Sequence, residues 1–547
     1  MSNLIIAQGI VAALAFIIYR LFFRKKQTLL PLPPGPKPLP ILGNINDLPP
    51  PGVPEFEHWL PFKDKYGPIS SVNVLGQTMV ILHDSDAVTE LLEKTSMKTS
   101  ARAQLFFATE MCGFGEFLPA MPYDDEFRQH RKYIHQQLGT KPLAARFSDI
   151  QDVESKRLLL RVLNDPQNFM EHLKAEASAI ILKITYGYTI EPLNPDPLVK
   201  LIEDVMSNLS AAFVPMSWPV DIIPALRHLP DWFPGTGFKQ TARKWRAINE
   251  AVVSTPYHFV RKQMELGIHQ EQSYVSGLIR TYGNEDGSGV SPEDMKIIQL
   301  TATSMYGGGA DTTVSTLMTF TIAMILFPDV QRKAQEEIDR VVGSGRLPEY
   351  EDRDNLPYTD AIAKEALRFF PVVPVGTAHK TEEELFFRGY RIPKDSYILP
   401  SIWWFLHDPN VYHEPDSFDP ARYLEPRNEP DPLGDAFGYG RRVCPGRYLA
   451  TESLYLTIAR LLAAFTIEKA VDENGKPIDV EFKSTPGLVN HPQKFAYSIK
   501  PRNEKYASLI RKVERDHPWE ESDAVHLEGD LIEEYKANCK AQAKKYH

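Results

Sequence analysis

One cysteine in this chain has surroundings that leave it few structural uses. Cys444 stands in Phe437-Gly438-Tyr439-Gly440-Arg441-Arg442-Val443-Cys444-Pro445-Gly446, a glycine- and arginine-rich loop that gives way to a helical run near Arg447. A thiol at a helix N-terminus beside cations is favoured as thiolate by the helix dipole and by Coulomb attraction. Three cysteines in 547 residues exclude a disulfide framework and fit a reducing compartment. No partner cysteine or histidine stands at zinc spacing, which disfavours a tetrahedral structural metal. A single thiolate with an anion-binding arginine two residues earlier suits a metal whose other ligands come from a cofactor. Haem is the natural candidate, with Arg442 meeting a propionate. Cys112 and Cys539 carry no assigned role.

The rest of the chain reads as an anchored globular body. Hydrophobic residues make up 43% and charged residues 24%, a globular profile, and the net charge of −10 argues against bulk nucleic-acid binding. Leu4–Phe23 is almost wholly apolar and as a helix spans about 30 Å, enough to cross a bilayer core. Ala13-Leu14-Ala15 resembles the cleavage site of a signal peptide, the alternative reading. Against it, no basic residue precedes the run and Arg24-Lys25-Lys26 follows it, which places the body on the cytosolic side. The prolines of Leu32–Pro40 favour a stiff spacer. These features divide the chain into an anchor at 1–26, a proline-rich spacer at 27–44, a body at 45–502 and a charged tail at 503–547, the last expected as a frayed helix.

Within the body, helical patterns cover Glu126–Gln137, Val153–Leu163, Leu173–Thr185, Gln240–Gly267, Pro292–Phe327, Asp329–Val342, Pro357–Phe370 and Arg447–Phe465. Tyr66–Leu82 reads as a hairpin, and Thr377–Ile398 and Thr466–Ile499 as short-strand regions. The expected fold class is mainly α with small β-sheets.

Phe437, Gly440, Arg442, Cys444 and Gly446 fill every position of Phe-x-x-Gly-x-Arg-x-Cys-x-Gly, and through them the chain resembles the cytochrome P450 family of haem-thiolate monooxygenases. The family's other segments follow in order. Glu365-Ala366-Leu367-Arg368 resembles Glu-x-x-Arg; Glu154/Arg157 and Glu337/Arg340 match the same pattern, which any helix-face ion pair satisfies. Only Glu365/Arg368 precedes Phe418-Asp419-Pro420-Ala421-Arg422 and then the cysteine loop, so the resemblance implies a buried Glu365–Arg368–Arg422 network supporting that loop. Gly308-Gly309-Ala310-Asp311-Thr312 resembles the family's oxygen-binding groove. Thr312 is then the hydroxyl that meets dioxygen, and Asp311 helps relay protons through water. Arg131 fits the propionate arginine of Trp-x-x-x-Arg, although Phe127 replaces the tryptophan. His379 matches a second propionate position, with a surface histidine as the alternative.

The resemblance covers roughly 31–502 and implies the P450 fold, haem b (iron protoporphyrin IX) with Cys444 as axial thiolate, and O2 as co-substrate. It implies insertion of one oxygen atom into a lipophilic small molecule: a polyketide, terpenoid, fatty or aromatic compound. The spacer, the anchor and the 220–234 segment look like microsomal fungal members of secondary metabolism. That last segment is either an interfacial element or a core linker. No flavin or dinucleotide segment follows residue 502, so electrons are expected from a separate NADPH–cytochrome P450 reductase at a basic face including Lys132, Arg441 and Arg447. A single-pass endoplasmic reticulum protein, monomeric and facing the cytosol, is the implied state. Substrate walls are expected at Ala103–Pro122, Phe213–Trp218, Thr303–Gly308, Val372–Thr377 and Gly487–Asn490, with Phe106, Phe107, Phe114, Phe213, Met305, Val373 and Leu488 as lining. The alternatives are a haem-thiolate isomerase or dehydratase that does not use O2, against which Asp311/Thr312 argues, and a non-catalytic haem-binding protein.

Overall fold

Four long helices in this chain start where a short polar side chain takes up the first free amides: Asp124, Asp196, Ser291 and Asn503. Helix α1 is Glu55–Tyr66 and α2 is Asp125–Leu138, where the Asp124 carboxylate accepts from the Phe127 amide. Helices α3 (Ser148–Asn164) and α4 (Phe169–Tyr186) follow. Asp196 accepts from Leu198 and Val199 at the head of α5 (Pro197–Ala212), and α6 is Gly237–Glu265. Ser291 caps α7 (Pro292–Ala310), which leads into α8 (Thr312–Leu326). Then come α9 (Pro357–Phe369), α10 (Arg447–Ala464), α11 (Glu504–Asp516) and α12 (Asp530–Tyr546). This account rests on a computed structural model and describes residues 30–268 and 272–546. The expected anchor Leu4–Phe23 lies outside the described residues.

Strands β1 (Ile69–Val74) and β2 (Gln77–Leu82) form the expected hairpin. Leu75 and Gly76 both take positive φ, 49° and 94°, the twist a two-residue turn needs. With β3 (Ala101–Arg102), β4 (His379–Lys380) and β7 (Tyr397–Pro400) they make one sheet in the order β1-β2-β7-β4-β3. Its register sets Arg102 directly opposite His379, joining residues far apart in the chain. Strands β5 (Leu385–Phe387) and β6 (Tyr390–Ile392) form a separate hairpin, and β8 (Phe465–Glu468) pairs with β9 (Ser498–Pro501). Mainly helical with small sheets, the body matches the expected class.

Apolar burial gathers in two large clusters. One surrounds α4–α7; the other joins α3, α8, α9 and α10. The candidate site lies between α7 and the loop entering α10. The stretch 292–326 is long and apolar enough to cross a membrane, yet most of it is buried inside the body as its central helix.

Three expectations are corrected. Pro292–Phe327 is not one regular helix: it breaks at Asp311 (φ −100°), just after Gly307-Gly308-Gly309, which weaken the helix, and the Thr312 hydroxyl there donates to the Gly308 carbonyl at 2.6 Å. Between β8 and β9, Val471↔Pro477 and Ser484↔Pro492 are only isolated bridges. The tail is not frayed. Helix α11 buries Tyr506 and Ile510 against the second cluster, and α12 packs on α5 and α6, burying Ile532, Tyr535 and Cys539. Its amphipathic pattern lay beneath a mixed charge run.

Removing the α11 anchor gives a quantitative check. Ile510 is fully buried, so Ile510→Ala should cost about 2–5 kcal/mol in chemical denaturation. Ser508→Ala on the exposed face of the same helix should stay within about 0.5 kcal/mol.

Candidate active site

A cavity of about 350 Å³ separates the α7–α8 junction from the cysteine loop. Cys444 is on its floor, Thr312 on its roof, and Arg102, Arg131, His379 and Arg442 on one side. The loop is shaped locally. The Cys444 amide donates to the Phe437 carbonyl at 2.8 Å, and Gly440 adopts φ +55°. A Cβ at Gly440 would stand 2.3 Å from the Leu92 carbonyl oxygen, so only glycine fits there. Helix α10 has no side-chain cap. Its first amides are therefore free. Burial pushes the Cys444 thiol up, while the Gly446 and Arg447 amides and the charges of Arg131 and Arg447 favour the thiolate.

The three arginines bond only to backbone carbonyls. Arg102 donates to Pro119 and Thr377 at 3.0 and 2.7 Å, and Arg131 to Val443 at 2.8 Å. Arg442 donates to Ser100 and Met121, each at 2.8 Å. Among the described residues none of the three forms an ion pair with a carboxylate. Burial, and for Arg102 the neighbouring Arg442, hold Arg102 well below its ordinary value. Burial and then Arg131 bring Arg442 down to about 10. Arg102 is buried and the other two are half-buried; a desolvated cation without a counter-charge is costly, so this wall is suited to receive anions. Gly308 and Gly446 fit the same occupant: both line the cavity, and a Cβ on either would meet no atom within 4 Å. A flat, dianionic cofactor with a thiolate-seeking metal satisfies the floor, the arginine wall and both glycines. Haem has those properties.

Two aromatic details bear on that wall. Phe127, in place of tryptophan, lies under the Arg442 guanidinium at 3.8 Å and supports the cation through its ring face. His379 is buried, its Nδ1 2.9 Å from the Thr99 carbonyl. Burial and the charges of Arg102 and Arg442 hold it well below 6.5. The Nδ1–H is thus spent on the Thr99 carbonyl, and the neutral ring could donate to a carboxylate only through Nε2 after protonation.

On the roof, Gly309 meets α4 closely: a Cβ there would come within 2.8 Å of Ile181. Thr312 faces the arginine-lined cavity, whereas Asp311 faces a second cavity behind α7, with Oδ2 3.2 Å from His491 Nε2.

Below the loop, Glu365, Arg368 and Arg422 are all fully buried. Glu365 accepts from Arg368 at 2.9 Å, Arg422 at 3.0 Å, the Asp419 amide at 2.9 Å and the Tyr423 hydroxyl at 2.8 Å. Arg368 reaches on to the Leu406 and Ser417 carbonyls, and Arg422 to Glu429 at 2.6 Å. Residues 406–429 are thereby pinned to α9.

A profile of the cytochrome P450 family matches residues 33–499. The chain belongs to the cytochrome P450 family. It is 50% identical to the cytochrome P450 monooxygenase CLM2 of Gibberella zeae over 96% of this chain and 99% of that one. It is 51% identical to the multifunctional cytochrome P450 monooxygenase af510 of Aspergillus fumigatus over 95% and 97%. An O-methylsterigmatocystin oxidoreductase of Aspergillus flavus is 36% identical over 96% and 98%. This P450 is thus a haem-thiolate monooxygenase of the fungal type, and the family implies haem, a cysteine thiolate and O2.

Of the expected lining of this P450, Met305 and Val373 stand on the haem cavity. Phe213 and Leu488 line a small neighbouring pocket that shares Gly376 with it. Phe114 packs edge-on against Phe117 and Phe213. Phe107 is elsewhere, stacked on Trp218 at 3.6 Å and edge-on to Trp245, because those indoles satisfy its ring away from the cavity. Phe106 lies under Arg227 at 4.9 Å. Sequence reasoning missed Arg102 and His491, whose partners are set by strand register and tertiary packing.

Removing the shared carboxylate should strand the buried Arg368 guanidinium and leave Arg422 with the Glu429 carboxylate alone. Glu365→Ala is expected to cost about 3–5 kcal/mol and to lower haem content. Glu384→Ala breaks the exposed pair with Arg391 and should cost at most about 1 kcal/mol. Urea unfolding of both variants checks the contrast.

Proposed function

We propose that Cys444 is the axial ligand and that Arg102, Arg131 and Arg442 hold the haem propionates, with His379 completing that wall. The observation that carries this reading is the set of carboxylate-free arginines, one buried and two half-buried, beside a thiol approached by helix amides. Haem, when bound, supplies the site where dioxygen is bound and activated. The chain supplies the rest. Amides at the head of α10 favour the thiolate against the opposing effect of burial, and Phe437 shields its loop. Gly308 and Gly309 keep the roof thin, leaving room above the floor. The Thr312 hydroxyl turns from the Gly308 carbonyl to present its proton to the cavity, and Asp311 resupplies it. Met305, Val373 and the adjoining Phe213/Leu488 pocket hold an apolar substrate and exclude bulk water.

The substrate class is a lipophilic secondary metabolite, an assignment supported by that lining and by a relative named for O-methylsterigmatocystin. Electrons come from a separate NADPH-dependent reductase. Exposed Lys132 and Arg441 next to the cysteine loop support a basic docking face, to which Arg447 adds. Single-pass attachment to the endoplasmic reticulum through Leu4–Phe23 completes the reading. Trp232 and Ile41, 80% and 91% exposed, support a body that also rests on lipid.

Thr312→Ala tests the relay. Product formed per NADPH should fall on the order of tenfold or more, with peroxide making up the difference. The reduced-plus-CO spectrum should be unchanged. Wild-type coupling in the variant contradicts the assignment.

A further inference from the structure

Asp311 and Thr312 are consecutive, yet they face different cavities, so the chain between them is the partition. Behind α7 lies a space of about 760 Å³. Its rim includes exposed Pro51, Gly52, Ser207 and Ala211, and its inner wall carries Asp311 and His491. The two side chains retain 19% and 25% exposure, which puts both within reach of water. The other charged groups on this wall are already engaged. Glu55 accepts from the Gly487 amide at 3.0 Å, and Glu203 pairs with Lys174 and Lys200 at 3.4 and 2.9 Å. Among the described residues, the Asp311 carboxylate has one hydrogen-bond partner, His491 Nε2 at 3.2 Å.

His491 is also held in register with that helix. The preceding residue, Asn490, is tied on both sides. Its amide donates to Val372 at 2.9 Å and its carbonyl accepts from Ser315 at 2.7 Å, one turn beyond Asp311. The His491 amide donates to Thr485 Oγ1 at 3.0 Å, closing the turn. Imidazole is the side chain that ordinarily gains and loses a proton near neutral pH. Here it is fixed between a water-accessible space and the carboxylate next to Thr312.

We propose that His491 is the solvent-side proton donor to Asp311 and that the cavity behind α7 is the water route that recharges it. This rests on the reading of Asp311 and Thr312 as the proton relay. In each transfer the N–H bond at His491 Nε2 breaks and an O–H bond forms at Asp311 Oδ2. The carboxyl then turns toward Thr312 and gives that proton up, returning to carboxylate. The imidazole takes a replacement proton from cavity water. No electrons move in these steps. Two such passes supply the two protons that reduction of one oxygen atom to water consumes, the electrons arriving from the reductase.

Holoenzyme variants separate proton transfer from mere positioning. His491→Gln keeps an N–H donor for Asp311 but cannot pass a proton on. His491→Lys keeps a transferable proton, and Asp311→Asn is the reference for the relay itself. All should show the wild-type reduced-plus-CO spectrum. Product per NADPH should fall about tenfold in H491Q and D311N, with a larger solvent deuterium isotope effect on turnover, and should recover in part in H491K. A readout independent of turnover is carbethoxylation of wild-type holoenzyme with diethyl pyrocarbonate, mapped by peptide mass spectrometry. His491 should react along with exposed His526, while buried His130 is protected. Normal coupling in H491Q with uncoupled D311N overturns the proposal while leaving the relay standing. An unreactive His491 overturns the water route. Normal coupling in D311N overturns the relay reading and this proposal with it.

Discussion

Three guanidinium groups that meet no carboxylate, Arg102 buried and Arg131 and Arg442 half-buried, set the terms for the rest of this fold. Arg102, Arg131 and Arg442 come from a two-residue strand, from α2 and from the cysteine loop. Each spends its donors on backbone carbonyls of a neighbouring segment, so the cluster also stitches the cavity wall together. Left without an anion, it carries a repulsive and desolvated charge that a marginally stable protein tolerates poorly. A dianionic cofactor would supply the counter-charge that this cluster lacks. Cofactor and core are thus parts of one packing problem.

Beneath the cavity, the Glu365 network does for the loop what the arginines do for the wall. It takes one carboxylate, two guanidinium groups and several backbone groups fully out of water, and nearly every donor finds an acceptor. Such a unit adds little net stability relative to an apolar core, but it forbids other arrangements of residues 406–429.

Much of this was legible because the information is local. The cysteine loop must turn at Gly440 and must present free amides at Gly446 and Arg447, and both demands are written in adjacent residues. The helices were legible from their apolar periods. Arg102 was not: two residues of strand carry no periodic signal, and its role comes from pairing with His379 across the sheet. His491 was hidden in the same way, its meaning supplied by a turn hung on Ser315. The helix break at Asp311 follows the glycine run 307–309, which weakens the ladder there and which a count of apolar residues passes over. The two other Glu-x-x-Arg matches have their own work. Glu154 and Arg157 form a buried pair from which Arg157 reaches Pro518 and Glu520, docking the tail, and Glu337 takes the Tyr358 and Thr359 amides at the head of α9. The tail looked solvated because its charges outnumber the few residues that bury.

All of this converges on one sulfur. If Cys444 is the axial ligand, reduced holoprotein with carbon monoxide should give the long-wavelength Soret band of thiolate-ligated haem. Cys444→Ala, which leaves Arg102, Arg131 and Arg442 in place, should lose that band entirely. A Cys444→Ala protein that keeps it would contradict the assignment of this cysteine and the account built on it.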